Sequence, residues 1–123
     1  MEHVSFRARV ITGSGRGKTL GVPTLNLDLQ DVPRDLADGV FAAWVRSDSK
    51  RYPSALYNGP RPTFGDTRSC EVHLIDALIP SPPDAVDVEV VEFLRGVSTY
   101  PSAEALSTQM MDDIRRSRDI LEA

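Results

Sequence analysis

A glycine-rich basic loop runs directly into a Pro-Thr-x-Asn segment between Gly13 and Asn26. The glycines of this loop allow the backbone to turn several N–H groups toward one anion, and Arg16 and Lys18 add positive charge. The residue types and their spacing therefore predict a loop that holds a nucleotide phosphate. We assign the phosphate contacts to Gly13, Ser14, Gly15, Arg16, Gly17, Lys18, Gly21, Pro23 and Thr24.

The spacing excludes two common phosphate motifs. A P-loop places four residues between its first glycine and its Gly-Lys pair, whereas three residues separate Gly13 and Gly17. A dinucleotide-binding fingerprint would need a glycine where Leu20 stands. The leucines that alternate over 25–29 predict a strand after the loop, where a P-loop would open a helix. A hairpin tip with solvated cations is the alternative interpretation of the loop alone.

Thr24 and Asn26 are candidate metal ligands. Residues two apart on a strand share a face, so the Thr24 hydroxyl and the Asn26 amide oxygen would lie side by side, away from Leu25 and Leu27. Neutral oxygens beside a phosphate suit Mg²⁺, which takes few protein ligands and keeps several waters. Mn²⁺ and Zn²⁺ are alternative ions. The alternative role for both residues is to hold a turn.

The elements that must position these residues are mostly strands. Alternating or continuous apolar segments over 4–10, 25–29, 39–45, 54–57, 70–75 and 86–94 predict about six strands. No helical pattern separates them, so the fold class is mainly β, a closed antiparallel six-stranded Greek-key-like β-barrel. A C-terminal α-helix is predicted over about 102–121, because Ser102 can cap it and Glu104 would lie in its first turn.

Length and composition favour a single domain over residues 1–123, either a stand-alone protein or a piece of a longer chain. A single cysteine, no long apolar run and no signal-peptide core predict a cytoplasmic protein without a membrane partner. The net charge of −4 argues against a nucleic-acid partner. A closed barrel leaves no sheet edge to cover, so a monomer is expected.

The segment GRGKTLGVPTLNL resembles the signature of the riboflavin kinases. Further blocks resemble that family in the same order: Gly39–Ala42, Gly59–Phe64, Glu71–Leu74, Phe93–Arg95, and a helix carrying Gln109 and Asp113. The resemblance covers the chain from about Phe6 to Leu121. It implies one riboflavin-kinase-like domain that transfers the γ-phosphate of ATP to the 5′-hydroxyl of riboflavin, giving FMN and ADP with Mg²⁺.

Glu71 is the candidate general base, because phosphoryl transfer to an alcohol needs a carboxylate that can accept the hydroxyl proton. In its strand Glu71 faces opposite to Cys70 and Val72. An outward glutamate is most often only solvated, and it is the resemblance that assigns the catalytic role. His73 shares the face of Glu71, although a lone strand histidine is more often structural. The resemblance also places Arg95, Gly96 and Asn58 beside the flavin.

Three departures from the family pattern motivate other functions. Tyr57 stands near the usual asparagine, Val97 replaces an acidic residue, and the segment 80–84 replaces a Leu-Tyr-Gly turn. One alternative is a non-catalytic sensor that binds a flavin or a nucleotide. The other is a small β-barrel interaction module without a small-molecule site.

Overall fold

A computed structural model describes residues 4–11, 23–60, 67–77, 79 and 81–123. The described chain forms six strands, a short 3-10 turn and one long helix. In chain order these are β1 (Val4–Ile11), β2 (Thr24–Leu27), the 3-10 turn (Leu29–Asp31), β3 (Gly39–Ser47), β4 (Lys50–Pro60), β5 (Arg68–Leu74), β6 (Ala85–Arg95) and α1 (Ala103–Leu121).

The six strands close into a barrel in the order β1-β2-β5-β4-β3-β6, and every neighbouring pair is antiparallel. Strands β3, β4 and β5 lie side by side in chain order, and β6 returns to the other side of β3. That order is a Greek key. The predicted mainly β, six-stranded antiparallel barrel with a C-terminal helix is therefore confirmed.

The barrel interior is filled by alternate residues of the strands, as the period of two requires. Leu25 and Leu27 of β2 face Cys70, Val72 and their inward neighbours, and all of these side chains are almost fully buried. Burial of this continuous apolar interior is the main stabilising contribution to the barrel. It also fixes which residues of β2 and β5 point outward.

Strand β2 ends earlier than the alternation of leucines suggested. Leu29 lies in the 3-10 turn and is 43% exposed, so it does not extend the strand. The Asp28 carboxylate accepts a hydrogen bond from the Gln30 backbone N–H and turns the chain at this point. This local hydrogen bond competes with continued sheet pairing. The alternation of apolar residues gives no indication of such a bond.

The C-terminal helix predicted over about 102–121 is observed at Ala103–Leu121. The Ser102 hydroxyl accepts from the Ala105 N–H at 3.0 Å, as expected of an N-cap residue. On the barrel side, Ile114 packs with Ala55 and Ile75. Within the described ranges, no helix has the length and apolarity needed to cross a bilayer.

Cys70 provides a test of the packed interior. Its side chain is fully buried, and burial raises the pKa of the thiol to about 12. Because thiolate is the reactive form, we expect almost no reaction with a disulfide reagent such as DTNB at pH 8 in the folded protein. The reagent should modify one thiol per chain after unfolding in guanidinium. Similar labelling rates in the folded and unfolded protein would contradict this packing.

Candidate active site

Polar side chains from β2 and β5 meet on the outer face of the barrel. The antiparallel register pairs Asn26 with Glu71 and Thr24 with His73. Directly paired residues on neighbouring strands lie on the same face, so these four side chains form one patch. We call this patch the β2–β5 cluster. It brings the candidate base beside both candidate metal ligands.

Glu71 points away from the barrel interior, as the burial of Cys70 and Val72 on either side of it requires. The Ser69 hydroxyl, which is buried and two residues before it on the same face, donates a hydrogen bond to Glu71 Oε2 at 2.9 Å. Ser69 therefore fixes the orientation of the carboxylate. A half-buried carboxylate held in this way can accept a proton without first reorganising.

His73 and Thr24 are joined by a hydrogen bond of 2.9 Å between Nδ1 and Oγ1. His73 is 4% exposed, because its cross-strand neighbour Ala55 lies under α1. Burial lowers the pKa of His73, and the negative charges of Glu71 and Asp113 oppose that shift. Burial therefore favours the neutral imidazole.

Tyr57 lies on the other side of Glu71, as its register partner on β4. Its hydroxyl donates to the Pro60 carbonyl. Burial raises the pKa of Tyr57, and the nearby charges of Glu71 and Asp38 add to the effect. The phenol therefore stays protonated and borders the β2–β5 cluster as a neutral group.

A buried ion pair links the end of β6 to α1. Arg95 Nε donates to Asp113 Oδ1 at 2.9 Å and Nη2 donates to Oδ2 at 2.7 Å, a two-point contact. Gln109 adds a bond of 3.1 Å to the same carboxylate. The guanidinium also donates to the Gly96 carbonyl at 3.0 Å and lies 5.8 Å from the centre of the Tyr100 ring. Arg95 thus anchors the segment that follows β6.

The phosphate loop falls outside the described residues. This applies to the predicted contacts at Gly13, Ser14, Gly15, Arg16, Gly17, Lys18 and Gly21, and to the resemblance block over 61–64. Pro23 and Thr24 are described. The Pro23 carbonyl accepts from the Leu74 N–H at 2.9 Å and joins the start of β2 to β5.

The amino-acid sequence matches a protein-family model over almost its whole length. Residues 1–121 match the model of the riboflavin kinases, also called flavokinases. The chain belongs to the riboflavin kinase family. The resemblance stated from the sequence is therefore confirmed, as is the expectation of a riboflavin kinase enzyme that phosphorylates riboflavin to FMN.

Two curated relatives illustrate the range of the family. The chain is 28% identical to human riboflavin kinase, over 99% of this chain and 84% of the human protein. It is 33% identical to the bifunctional riboflavin kinase/FMN adenylyltransferase of Haemophilus influenzae, over 89% of this chain. It spans 36% of the length of that bifunctional relative.

Solved structures share the fold. A crystal structure described as a macrolide-efflux protein from Streptococcus pneumoniae has a TM-score of 0.78 at 30% identity. It covers 93% of this chain, which corresponds to 38% of that one. Riboflavin kinase from Trypanosoma brucei has a TM-score of 0.64 at 22% identity, over 99% of this chain and 82% of its own.

The residues predicted to border the flavin lie in three different settings. Arg95 is held by the Asp113 carboxylate. Gly96 is exposed, and apart from its two chain neighbours no atom of the described residues lies within 4 Å of the position that a Cβ would occupy. Asn58 is buried on the interior face of β4, where its Nδ2 donates to the Leu36 and Ala37 carbonyls, both at 3.2 Å. Among the bonds of the described residues, none joins Arg95, Gly96 or Asn58 directly to the β2–β5 cluster.

Ser69 and Asp113 hold Glu71 and Arg95 in place, but neither residue was given this role from the sequence. Ser69 could have been found, because it precedes Glu71 by two positions on the same strand and therefore shares its face. The family resemblance includes Asp113 on the helix, but the bond of Asp113 to Arg95 depends on how α1 packs across the barrel. No spacing within the sequence encodes that contact.

The β2–β5 cluster suits a metal that is also bound by substrate phosphates. Thr24 and Asn26 are half-buried and offer a hydroxyl and an amide oxygen on one face. Within the described part of the chain, no group of three His, Cys, Asp or Glu side chains is arranged to hold a metal by itself. Hard oxygen donors in small number are what Mg²⁺ accepts when phosphates supply the rest.

Proposed function

We propose that this chain transfers the γ-phosphate of ATP to the 5′-hydroxyl of riboflavin, with Glu71 as the general base. The observation that carries the proposal is the register of β2 and β5, which pairs Glu71 with Asn26 on the face that also carries Thr24. A base and two neutral oxygen donors on one surface are the groups that metal-assisted phosphoryl transfer requires.

In the proposed reaction, the ribityl 5′-hydroxyl lies against Glu71. As its oxygen attacks the γ-phosphorus in line, the O–H proton passes to the Glu71 carboxylate, the bond between phosphorus and the β,γ-bridging oxygen breaks, and ADP leaves. Ser69 holds Oε2, so Oε1 is the oxygen that we assign to receive the proton. Positioning and charge neutralisation supply most of the acceleration in reactions of this class.

Thr24 and Asn26 would hold Mg²⁺, with Mn²⁺ and Zn²⁺ as alternatives to be compared. When bound, the ion neutralises charge on the transferred phosphoryl group and the leaving group. The loop over 13–18, with Arg16 and Lys18, is proposed to hold the nucleotide phosphates. Arg95, Gly96 and Asn58 are proposed to border the flavin.

The proposal is tested by incubating the purified protein with riboflavin, ATP and Mg²⁺ and separating the flavins by chromatography. FMN should form at a rate that depends on protein concentration. Saturable binding of riboflavin or ATP without FMN would instead support a sensor. No saturable binding of either would support an interaction module. Action as a cytoplasmic monomer, without nucleic-acid or membrane partners, is part of the same proposal.

Removing the metal should abolish FMN formation. After treatment with EDTA, we expect no product above the level without protein, because the charge on the phosphates is then not neutralised. Adding excess Mg²⁺ should restore the rate, and parallel additions of Mn²⁺ and Zn²⁺ rank the ions. An undiminished rate in EDTA would contradict the metal assignment.

A further inference from the structure

The hydrogen bond between His73 and Thr24 places a buried imidazole behind a proposed metal ligand. Nδ1 lies 2.9 Å from Thr24 Oγ1, and the two residues are direct register partners on β5 and β2. His73 is 4% exposed, whereas Thr24 is half-buried. The Thr24 hydroxyl therefore lies between a buried nitrogen and the open side of the β2–β5 cluster.

The direction of this bond decides what the hydroxyl can offer. A threonine hydroxyl has one proton and two lone pairs, and a neutral imidazole has one N–H donor and one nitrogen acceptor. If Nδ1 carried the proton, it would donate to Oγ1 and occupy a lone pair. The hydroxyl proton would then be free to point toward a cation and repel it. If Thr24 donates to Nδ1, both lone pairs remain for a cation.

We propose that His73 is a positioning residue, which accepts the Thr24 hydroxyl proton through Nδ1 and thereby directs the oxygen lone pairs toward the metal. The inference rests on the proposed function, since it requires the metal at Thr24 and Asn26. It assigns a purpose to a buried polar side chain that the phosphoryl-transfer chemistry does not itself use. Groups that orient metal ligands in this way affect metal affinity strongly.

A purely structural histidine is the competing explanation. Because Ala55 and α1 cover His73, its removal could loosen the packing between helix and barrel whatever it does to Thr24. Stability alone therefore cannot decide between the two roles. Metal affinity can distinguish the two roles, because packing does not determine where the Thr24 proton points.

Two substitutions at His73 separate the roles. His73→Leu fills a similar volume without an acceptor, and His73→Asn places its amide oxygen near the position of Nδ1. We expect His73→Leu to weaken Mn²⁺ binding by about 10-fold to 100-fold, the usual effect of losing a partner of a metal ligand. The probe is Mn²⁺ titrated in the presence of ADP and followed by electron paramagnetic resonance. His73→Asn should recover most of the affinity.

The matched control is Thr24→Val, which removes the hydroxyl and keeps the shape of the side chain. In the Thr24→Val background, His73→Leu should cause no further loss of Mn²⁺ affinity, because the group that His73 orients is gone. Equal effects of His73→Leu in both backgrounds would overturn the positioning role. The positioning role would also be wrong if His73→Leu lowered the melting temperature of the protein but left Mn²⁺ affinity unchanged.

The same set of variants distinguishes failure of this inference from failure of the proposed function. If Thr24→Val leaves Mn²⁺ binding unchanged, the metal assignment itself is wrong. If Thr24→Val weakens binding but His73→Leu does not, only the positioning role is wrong. Should His73→Leu fail to fold, His73→Asn is compared with His73→Gln, whose amide reaches the position of Nε2. Tighter Mn²⁺ binding by His73→Asn supports the role, and equal binding overturns it.

Discussion

Replacing Glu71 by glutamine should lower kcat for FMN formation by about 10²-fold to 10⁴-fold, the usual contribution of a general base. Glutamine keeps the size of the side chain, and its amide oxygen can still accept the Ser69 hydrogen bond. It cannot take the proton of the attacking hydroxyl. The loss should therefore fall on kcat, measured as FMN formed per enzyme at saturating riboflavin, ATP and Mg²⁺. Calorimetry should show that riboflavin and nucleotide still bind.

Glu92 provides the matched control for Glu71. It is an exposed glutamate on β6, and two strands separate β6 from β5 in either direction around the barrel. Glu92→Gln makes the same loss of charge away from the β2–β5 cluster and should leave kcat unchanged. A near-normal kcat in Glu71→Gln with intact substrate binding would show that Glu71 is not the base. Equal losses in both variants would point to overall charge as the cause.

The orientation of Glu71 could be predicted from the sequence, because Cys70 and Val72 are apolar neighbours in a strand and must face the interior. The barrel and its helix could be predicted for a similar reason. Alternating apolar positions set the strands, and Ser102 marks the start of α1 through a bond to a residue three positions away. These features depend on local periodicity and short-range hydrogen bonds, which a single sequence contains.

The assembly of the site could not be predicted in the same way. The pairing of Asn26 with Glu71 joins residues far apart in the chain, and its register follows from how all six strands close. The bond between His73 and Thr24 depends on the same register. A shift of one residue would move either partner to the interior face. Likewise, the family resemblance named Asp113 without indicating that it binds Arg95.

Removing the Asp113 carboxylate should lower the free energy of unfolding substantially. Asp113 is 4% exposed and Arg95 is 18% exposed, so Asp113→Ala leaves a largely buried guanidinium without its partner. We expect a loss of about 3 kcal/mol, the low end of the range for broken buried pairs, because residual exposure lets water screen part of the charge. Urea unfolding followed by circular dichroism measures the loss. Gln109, which also bonds Asp113, would lose its partner too.

The helix itself supplies the control for the Asp113 prediction. Asp112, one residue earlier, pairs with Arg115, but these side chains are 40% and 65% exposed. Because exposed pairs contribute little, Asp112→Ala should leave the free energy of unfolding nearly unchanged. The double replacement of Arg95 by Met and Asp113 by Leu should recover much of the stability lost in Asp113→Ala, since no unpaired charge stays buried. Similar losses in Asp112→Ala and Asp113→Ala would mean that burial of the Arg95–Asp113 pair is not responsible, and helix propensity would not explain the losses either, since alanine is the better helix former at both positions. If the double variant instead unfolds as easily as Asp113→Ala, the hydrogen bonds between Arg95 and Asp113 themselves stabilise the packing of α1 on β6. Avoiding an unpaired buried charge would then not be sufficient.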